Sequence, residues 1–116
     1  MGAIRGAICA ENTVQDIYEK SKQLVGEIIS SNSINPMDIN AIFFTATDDL
    51  DAAYPATGVR QAFALDHVAF MCFCEMKVKG SLSHCIRVCV FVQGLPQECC
   101  KHCYIGKAAA LRPDLK

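Results

Sequence analysis

The chain has 116 residues, 52% hydrophobic and 20% charged, and its 11 basic and 12 acidic side chains leave a net charge of −1. That balance excludes a disordered or collagen-like chain, and four scattered arginines make no basic field that would hold nucleic acid by counterion release. The longest apolar run, Val68 to Cys74, is seven residues, against the ~20 needed to span a bilayer, so no membrane partner is expected. A single domain over residues 1–116 is expected, with a small core that self-association would help.

Ala3 to Cys9 is short and apolar with Arg5 inside it, which predicts a first strand. Asn12 or Thr13 can cap a helix, and Val14, Ile17, Tyr18, Ser21, Leu24, Val25, Ile28 and Ile29 repeat at three- and four-residue steps, predicting an amphipathic helix from about Thr13 to Ser31. Asn35-Pro36 offers a cap and a first-turn proline for a single helical turn before a strand over Asn40 to Thr47. After the polar break Asp48-Asp49-Leu50-Asp51, Ala56 to Ala64 has the composition of a shorter helix. His67 to Glu75 and Ile86 to Gln93 read as strands on either side of a turn through Gly80. Gly94-Leu95-Pro96 breaks the pattern, Gln97 to Cys103 reads as a short helix or irregular segment, and Tyr104 to Leu111 as a last strand before Arg112-Pro113-Asp114. The fold class is α+β, with a mixed sheet of about five strands and two main helices.

Eight cysteines would form disulfides in a secreted chain, but Cys72, Cys74, Cys85 and Cys89 sit in apolar, strand-like sequence, where a thiol acts as a small hydrophobe. The start, Met1-Gly2-Ala3-Ile4-Arg5, lacks a basic segment followed by an apolar run, and Gly6 stands where a myristoylation signal has Ser or Thr. The expected location is a reducing cytoplasm. Cys99-Cys100-Lys101-His102-Cys103 is the obvious metal motif, yet zinc sites draw on two separated ligand pairs and the second is missing. No metal is expected. Cys100 and Cys103 have redox-pair spacing without a clear strand-to-helix junction before them, and His67, His84 and His102 are too scattered to activate a nucleophile.

The arginines say more. Arg5 and Arg87 lie inside apolar strands, Arg60 on the short helix and Arg112 after the last strand, while Glu75 ends the most apolar stretch. Charges rarely sit in apolar strands without a partner. Spacing alone leaves two readings: a structural Arg–Glu ion pair, or a pocket in which guanidinium groups hold an anion bidentately and a lone carboxylate selects a ligand hydroxyl.

Five strings in register carry a resemblance that runs from Ile4 to Leu115. They are Ile4-Arg5-Gly6-Ala7; Thr45-Ala46-Thr47 leading to Tyr54-Pro55-Ala56 and Val59-Arg60; Cys72-x-x-Glu75-Met76; Cys85-Ile86-Arg87-Val88; and Leu111-Arg112-Pro113-Asp114-Leu115. The chain resembles the monofunctional chorismate mutases of the AroH class, the Bacillus type. The resemblance implies a homotrimeric pseudo-α/β-barrel with sheets inside, helices outside and active sites between subunits. It also implies the Claisen rearrangement of chorismate to prephenate in phenylalanine and tyrosine biosynthesis, without cofactor or metal.

Carried over position by position, the resemblance makes Arg87 the cation that faces the ether oxygen and Glu75 the acceptor for the ring hydroxyl, with Cys72 near the same group. It gives Arg5 and Tyr104 to the substrate carboxylates, puts Arg60 and Arg112 at the pocket mouth, and lines the pocket with Tyr54 and Leu111. Tyr54 stands where the family has phenylalanine. Two other classes compete: a non-catalytic trimeric small-anion binding protein on the same scaffold, and a thiol or zinc module built on Cys99, Cys100, His102 and Cys103.

Overall fold

A computed structural model of the chain describes residues 1–111. Strand β1 (Gly2–Cys9) leads into helix α1 (Val14–Ser31). A 3-10 turn (Pro36–Asp38), strand β2 (Ile39–Ala46), helix α2 (Pro55–Phe63), strand β3 (Ala69–Cys74) and strand β4 (Cys85–Val92) come next. A second 3-10 turn (Gln97–Cys99) precedes the two-residue strand β5 (Cys103–Tyr104) and a 3-10 helix (Gly106–Leu111). The strands form one mixed sheet in the order β3-β2-β4-β1-β5, with β4 antiparallel to β1 and β2, and the outer pairs β2–β3 and β1–β5 parallel. The expected α+β architecture of five strands and two main helices is what forms.

The end of the chain departs from expectation. Tyr104 to Leu111 is not a strand: pairing stops at Tyr104, Gly106 turns with φ +62°, and Lys107-Ala108-Ala109-Ala110 coils. Glycine reaches that φ without steric cost, and the alanine run favours helical over extended backbone. Ala108 is fully buried against Ala7 and Cys85, so the coil caps one end of the sheet.

Capping and packing explain α1. Thr13 Oγ1 accepts from Asp16 N at 3.1 Å, and Asn32 closes the far end with its N–H on Ile28 O. Between the caps, Ile17, Leu24, Val25 and Ile28 are buried, each worth about 1.5–3 kcal/mol of apolar burial. They meet Ile4, Ile8, Ile42, Phe44, Val88 and Val90 in one core. Gly58 of α2 lets the helices touch, since a Cβ there would stand 2.8 Å from Tyr18 Cα.

Strand alternation then sorts the sheet into two faces. Ile4, Ile8, Ile42, Phe44, Ile86, Val88, Val90 and Val92 lie under the helices. The opposite face carries Arg5, Phe43, Thr45, Phe73, Arg87, Cys89, Phe91 and Tyr104; neither α1 nor α2 packs on it, and the 3-10 helix covers only its Ala7–Cys85 end.

Candidate active site

The face away from α1 and α2 holds a cleft of about 400 Å³ lined by Arg5, Gly6, Phe43, Thr45, Phe73, Glu75, Arg87, Val88, Cys89 and Tyr104. Register explains the gathering. Arg87 on β4 is opposed by Ala7 on one side and Thr45 on the other; Ala7 is opposed in turn by Tyr104, and Thr45 by Phe73. One row across the sheet therefore reads Tyr104, Ala7, Arg87, Thr45, Phe73. The next row reads Arg5, Cys89, Phe43, Met71. Glu75 continues β3 beyond its last paired residue, its N–H donating to Ala46 O at 2.9 Å, which keeps its side chain on the same face as Phe73.

Glu75 and Arg87 form an ion pair. Arg87 Nε lies 3.3 Å from Glu75 Oε1, and their side chains are 42% and 20% exposed. Nε is itself buried and its N–H makes no hydrogen bond of good geometry, so the contact is electrostatic and the donor is unspent. Thr45 Oγ1 donates to the same Oε1 at 2.5 Å. Both protein partners address one carboxylate oxygen, and the Glu75 side chain lines the cleft. Phe43, in edge contact with Phe73 and Phe91 at 5.9 and 5.2 Å between ring centres, walls one side of the cleft.

Burial disfavours the thiolate form of the thiols near this cleft. Burial pushes Cys89 up against the opposing charge of Arg5. Burial, reinforced by the neighbouring Cys9, pushes Cys85 to about 11 although Arg87 pulls the other way. A protonated thiol is a poor nucleophile, so the cleft offers cations and acceptors rather than a covalent catalyst.

Of the residues singled out in the sequence, one chain brings together Arg5, Glu75, Arg87 and Tyr104. Leu111 packs beside Tyr104 against the small cluster of Ala7, Cys85 and Ala108. Cys72 does not join them: it faces the helix side of the sheet and, with the 72% exposed Tyr54, lines a different groove that shares only Phe73 with the arginine cleft. Arg60 is exposed on α2, and Arg112 lies outside the described residues. Thr45, Phe43, Phe73 and Cys89 also line the cleft and have no site role in the sequence reading. Alternation along β2 is the signal that groups Phe43 with Thr45, but the hydrogen bond to Glu75 depends on strand register.

Cys99-Cys100-Lys101-His102-Cys103 has a structural use. Gln97 pairs its side-chain amide with Ala3 N and O at 2.8 and 2.9 Å, and His102 Nδ1 accepts from Arg5 N at 2.9 Å, so side chains replace the strand that β5 is too short to supply. Lys101 N donates to Asn32 Oδ1 at the end of α1. Among the described residues no three His, Cys, Asp or Glu side chains are grouped to hold a metal ion.

Residues 1–115 match the chorismate mutase type I family. The chain belongs to that family. It is 42% identical over 114 residues to chorismate mutase AroH of Bacillus subtilis (strain 168), covering 97% of this chain and 90% of that one. It is 35% identical over 116 residues to chorismate mutase AroH of Thermus thermophilus, covering 97% and 94%. The solved chorismate mutase from Clostridium thermocellum superposes with a TM-score of 0.89 at 37% identity, over 95% of this chain and 99% of that structure.

Proposed function

We propose that residues 1–116 act as one catalytic domain, an isomerase that rearranges chorismate to prephenate on the shikimate route to phenylalanine and tyrosine. One observation carries this reading: in a chain of the chorismate mutase type I family, two arginines, a carboxylate and a tyrosine converge on one partly apolar cleft.

Chorismate is a dianion with a ring hydroxyl, and its rearrangement breaks an ether C–O bond while a C–C bond forms within the same molecule. Negative charge gathers on the ether oxygen. No base, nucleophile or redox partner takes part, so catalysis reduces to holding the compact conformer and stabilising charge present only in the transition state. Fixed cations serve both needs. Arg87, its guanidinium held on one side by Glu75, faces the ether oxygen and one carboxylate. Arg5 and Tyr104 hold carboxylate oxygens, and the Glu75 carboxylate accepts from the ring hydroxyl while Thr45 fixes Oε1. Arg60 and Arg112 add positive charge at the mouth, and Leu111 lines it.

The assembly is a homotrimer of this chain with active sites between copies. The face away from α1 and α2 supports it: Phe43, Phe73 and Phe91 cluster there, and Phe73 and Met71 are 46% and 52% exposed. In this arrangement a neighbouring copy supplies Cys72, Tyr54 and Arg60, which one chain does not bring to Arg87. A reducing cytoplasm suits its eight free thiols.

The test follows the loss of chorismate absorbance with purified protein and no added metal or cofactor, and identifies prephenate by its acid conversion to phenylpyruvate. Saturable turnover is expected. Saturable chorismate binding by a folded protein without turnover would favour a binding protein instead.

A further inference from the structure

Cys9 and Cys85 are directly opposed at one end of the β1–β4 ladder. They are the only two cysteines opposed in any described strand pairing. Hydrogen bonds identify the kind of pair. Ala3 and Arg5 donate their N–H groups away from β4, to Gln97 and His102, and Ala7 O accepts from Ile105 on the same outer side. Odd-numbered residues of β1 thus turn their main-chain groups away from β4, while Ala10, one residue past Cys9, donates to His84 O at 2.9 Å. Cys9 and Cys85 therefore form a non-hydrogen-bonded antiparallel pair, a geometry with Cα atoms about 4.5 Å apart and both side chains on one face. Disulfides span Cα separations of about 4.4–6.8 Å. Both residues pack in the cluster of Ala7 and Ala108 on the face away from α1 and α2.

We propose that Cys9 and Cys85 are a reversible disulfide site, oxidised by a low-molecular-weight disulfide of the glutathione class. The two thiols have different access. Cys9 is half-buried and lines an open cleft of about 510 Å³, whereas Cys85 is 2% exposed. Cys9 thiolate attacks one sulfur of the incoming disulfide, forming a mixed disulfide and releasing one thiolate. Cys85 gives its proton to water and attacks the Cys9 sulfur, forming the bridge and releasing the second thiolate. The two protein thiols lose two electrons and two protons in all, and the oxidant leaves as two thiols. Burial shields Cys85 from the incoming disulfide and disfavours its thiolate, so Cys9 reacts first and Cys85 resolves the mixed disulfide.

The experiment treats the full chain with glutathione disulfide at mildly alkaline pH, alkylates the remaining thiols and maps tryptic peptides without reduction. Cleavage after Arg5, Lys20, Lys79 and Arg87 places each cysteine alone, in peptides 6–20 and 80–87. The expected product is these two peptides linked, from protein with unchanged circular dichroism; dithiothreitol separates them, and Cys9→Ser abolishes the link. Two results would overturn the proposal. One is separate alkylation or glutathionylation of the two peptides while exposed Cys74 and Cys99 are oxidised. The other is a linked yield no higher than urea-unfolded protein gives. Should Cys85→Ser fail to fold, Cys9→Ser still supplies the control at a half-exposed position.

Discussion

At the scale of single residues, the proposed chemistry turns on how Glu75 is held beside Arg87. The carboxylate would rotate freely at the end of β3 if the ion pair were its only restraint, because a pair this exposed contributes little by itself. Thr45 adds a direct hydrogen bond from the strand opposite Arg87. Thr45→Val keeps the shape and removes the donor, so a roughly fivefold loss of kcat/KM is expected, the scale of about 1 kcal/mol for one net hydrogen bond. Thr45→Ser should recover most of it. Equal kinetics for the valine and serine variants would show that the hydroxyl does not position Glu75.

Asp49 supplies a pH-dependent contact near the same end of the sheet. The Thr47 hydroxyl and the His84 backbone N–H donate to its carboxylate, and the Thr47 bond above all holds it below its ordinary value against partial burial. The stability it adds is fully present above the unfolded value near 3.9 and is lost as pH falls through the depressed folded value. Asp49→Asn should therefore melt below the parent at neutral pH, with the gap closing as pH drops under about 4. A gap constant in Tm down to pH ~3 would contradict the assignment.

At the scale of elements, the sheet's two faces decide what can meet. The spacing Cys72-x-x-Glu75 is odd, and an odd offset along a strand puts two side chains on opposite faces. That offset is legible in the sequence alone, and it explains why Cys72 faces the helix side while Glu75 faces Arg87. Helix α1 is equally legible from its apolar spacing and Thr13 cap, and β1 to β4 from their short apolar runs. The short β5 is not, because two paired residues leave no periodic signal and the chain beyond Gly106 is rich in alanine. The roles of Gln97 and His102 in closing the edge of β1 are also invisible in sequence, since they depend on contacts almost a whole chain length apart. Gly6 shows how tightly β5 is seated: an added Cβ would lie 2.6 Å from Cys103 O and 3.1 Å from Leu24 Cδ1. Gly6→Ala should cost about 1–3 kcal/mol in urea unfolding, the range for overpacking. By displacing the backbone that carries Tyr104 it should also raise KM. An unchanged unfolding midpoint would mean that β5 yields without cost.

At the scale of the whole molecule, one face of the sheet is buried under α1 and α2, while the other, apart from the 3-10 helix over Ala7 and Cys85, carries arginines and aromatic side chains with no α-helix over them. The proposed three-fold association would resolve that imbalance and complete the proposed site, whose residues one chain only partly assembles. Analytical ultracentrifugation should give a species of three times the 12.6 kDa chain mass. Phe91→Glu, which places a charge in the aromatic cluster beside Phe43, should shift it to monomer and remove turnover together. A monomeric parent protein with full activity would refute the shared site. The central claim is that a fixed guanidinium at Arg87 stabilises charge arising only in the transition state, and the most direct test is the steady-state kcat of Arg87→Ala on chorismate beside the parent protein. A fall of about 10²-fold or more is predicted in a variant that keeps its fold and assembly, the loss seen when a single charge-stabilising donor is removed; a kcat close to the parent value would contradict it.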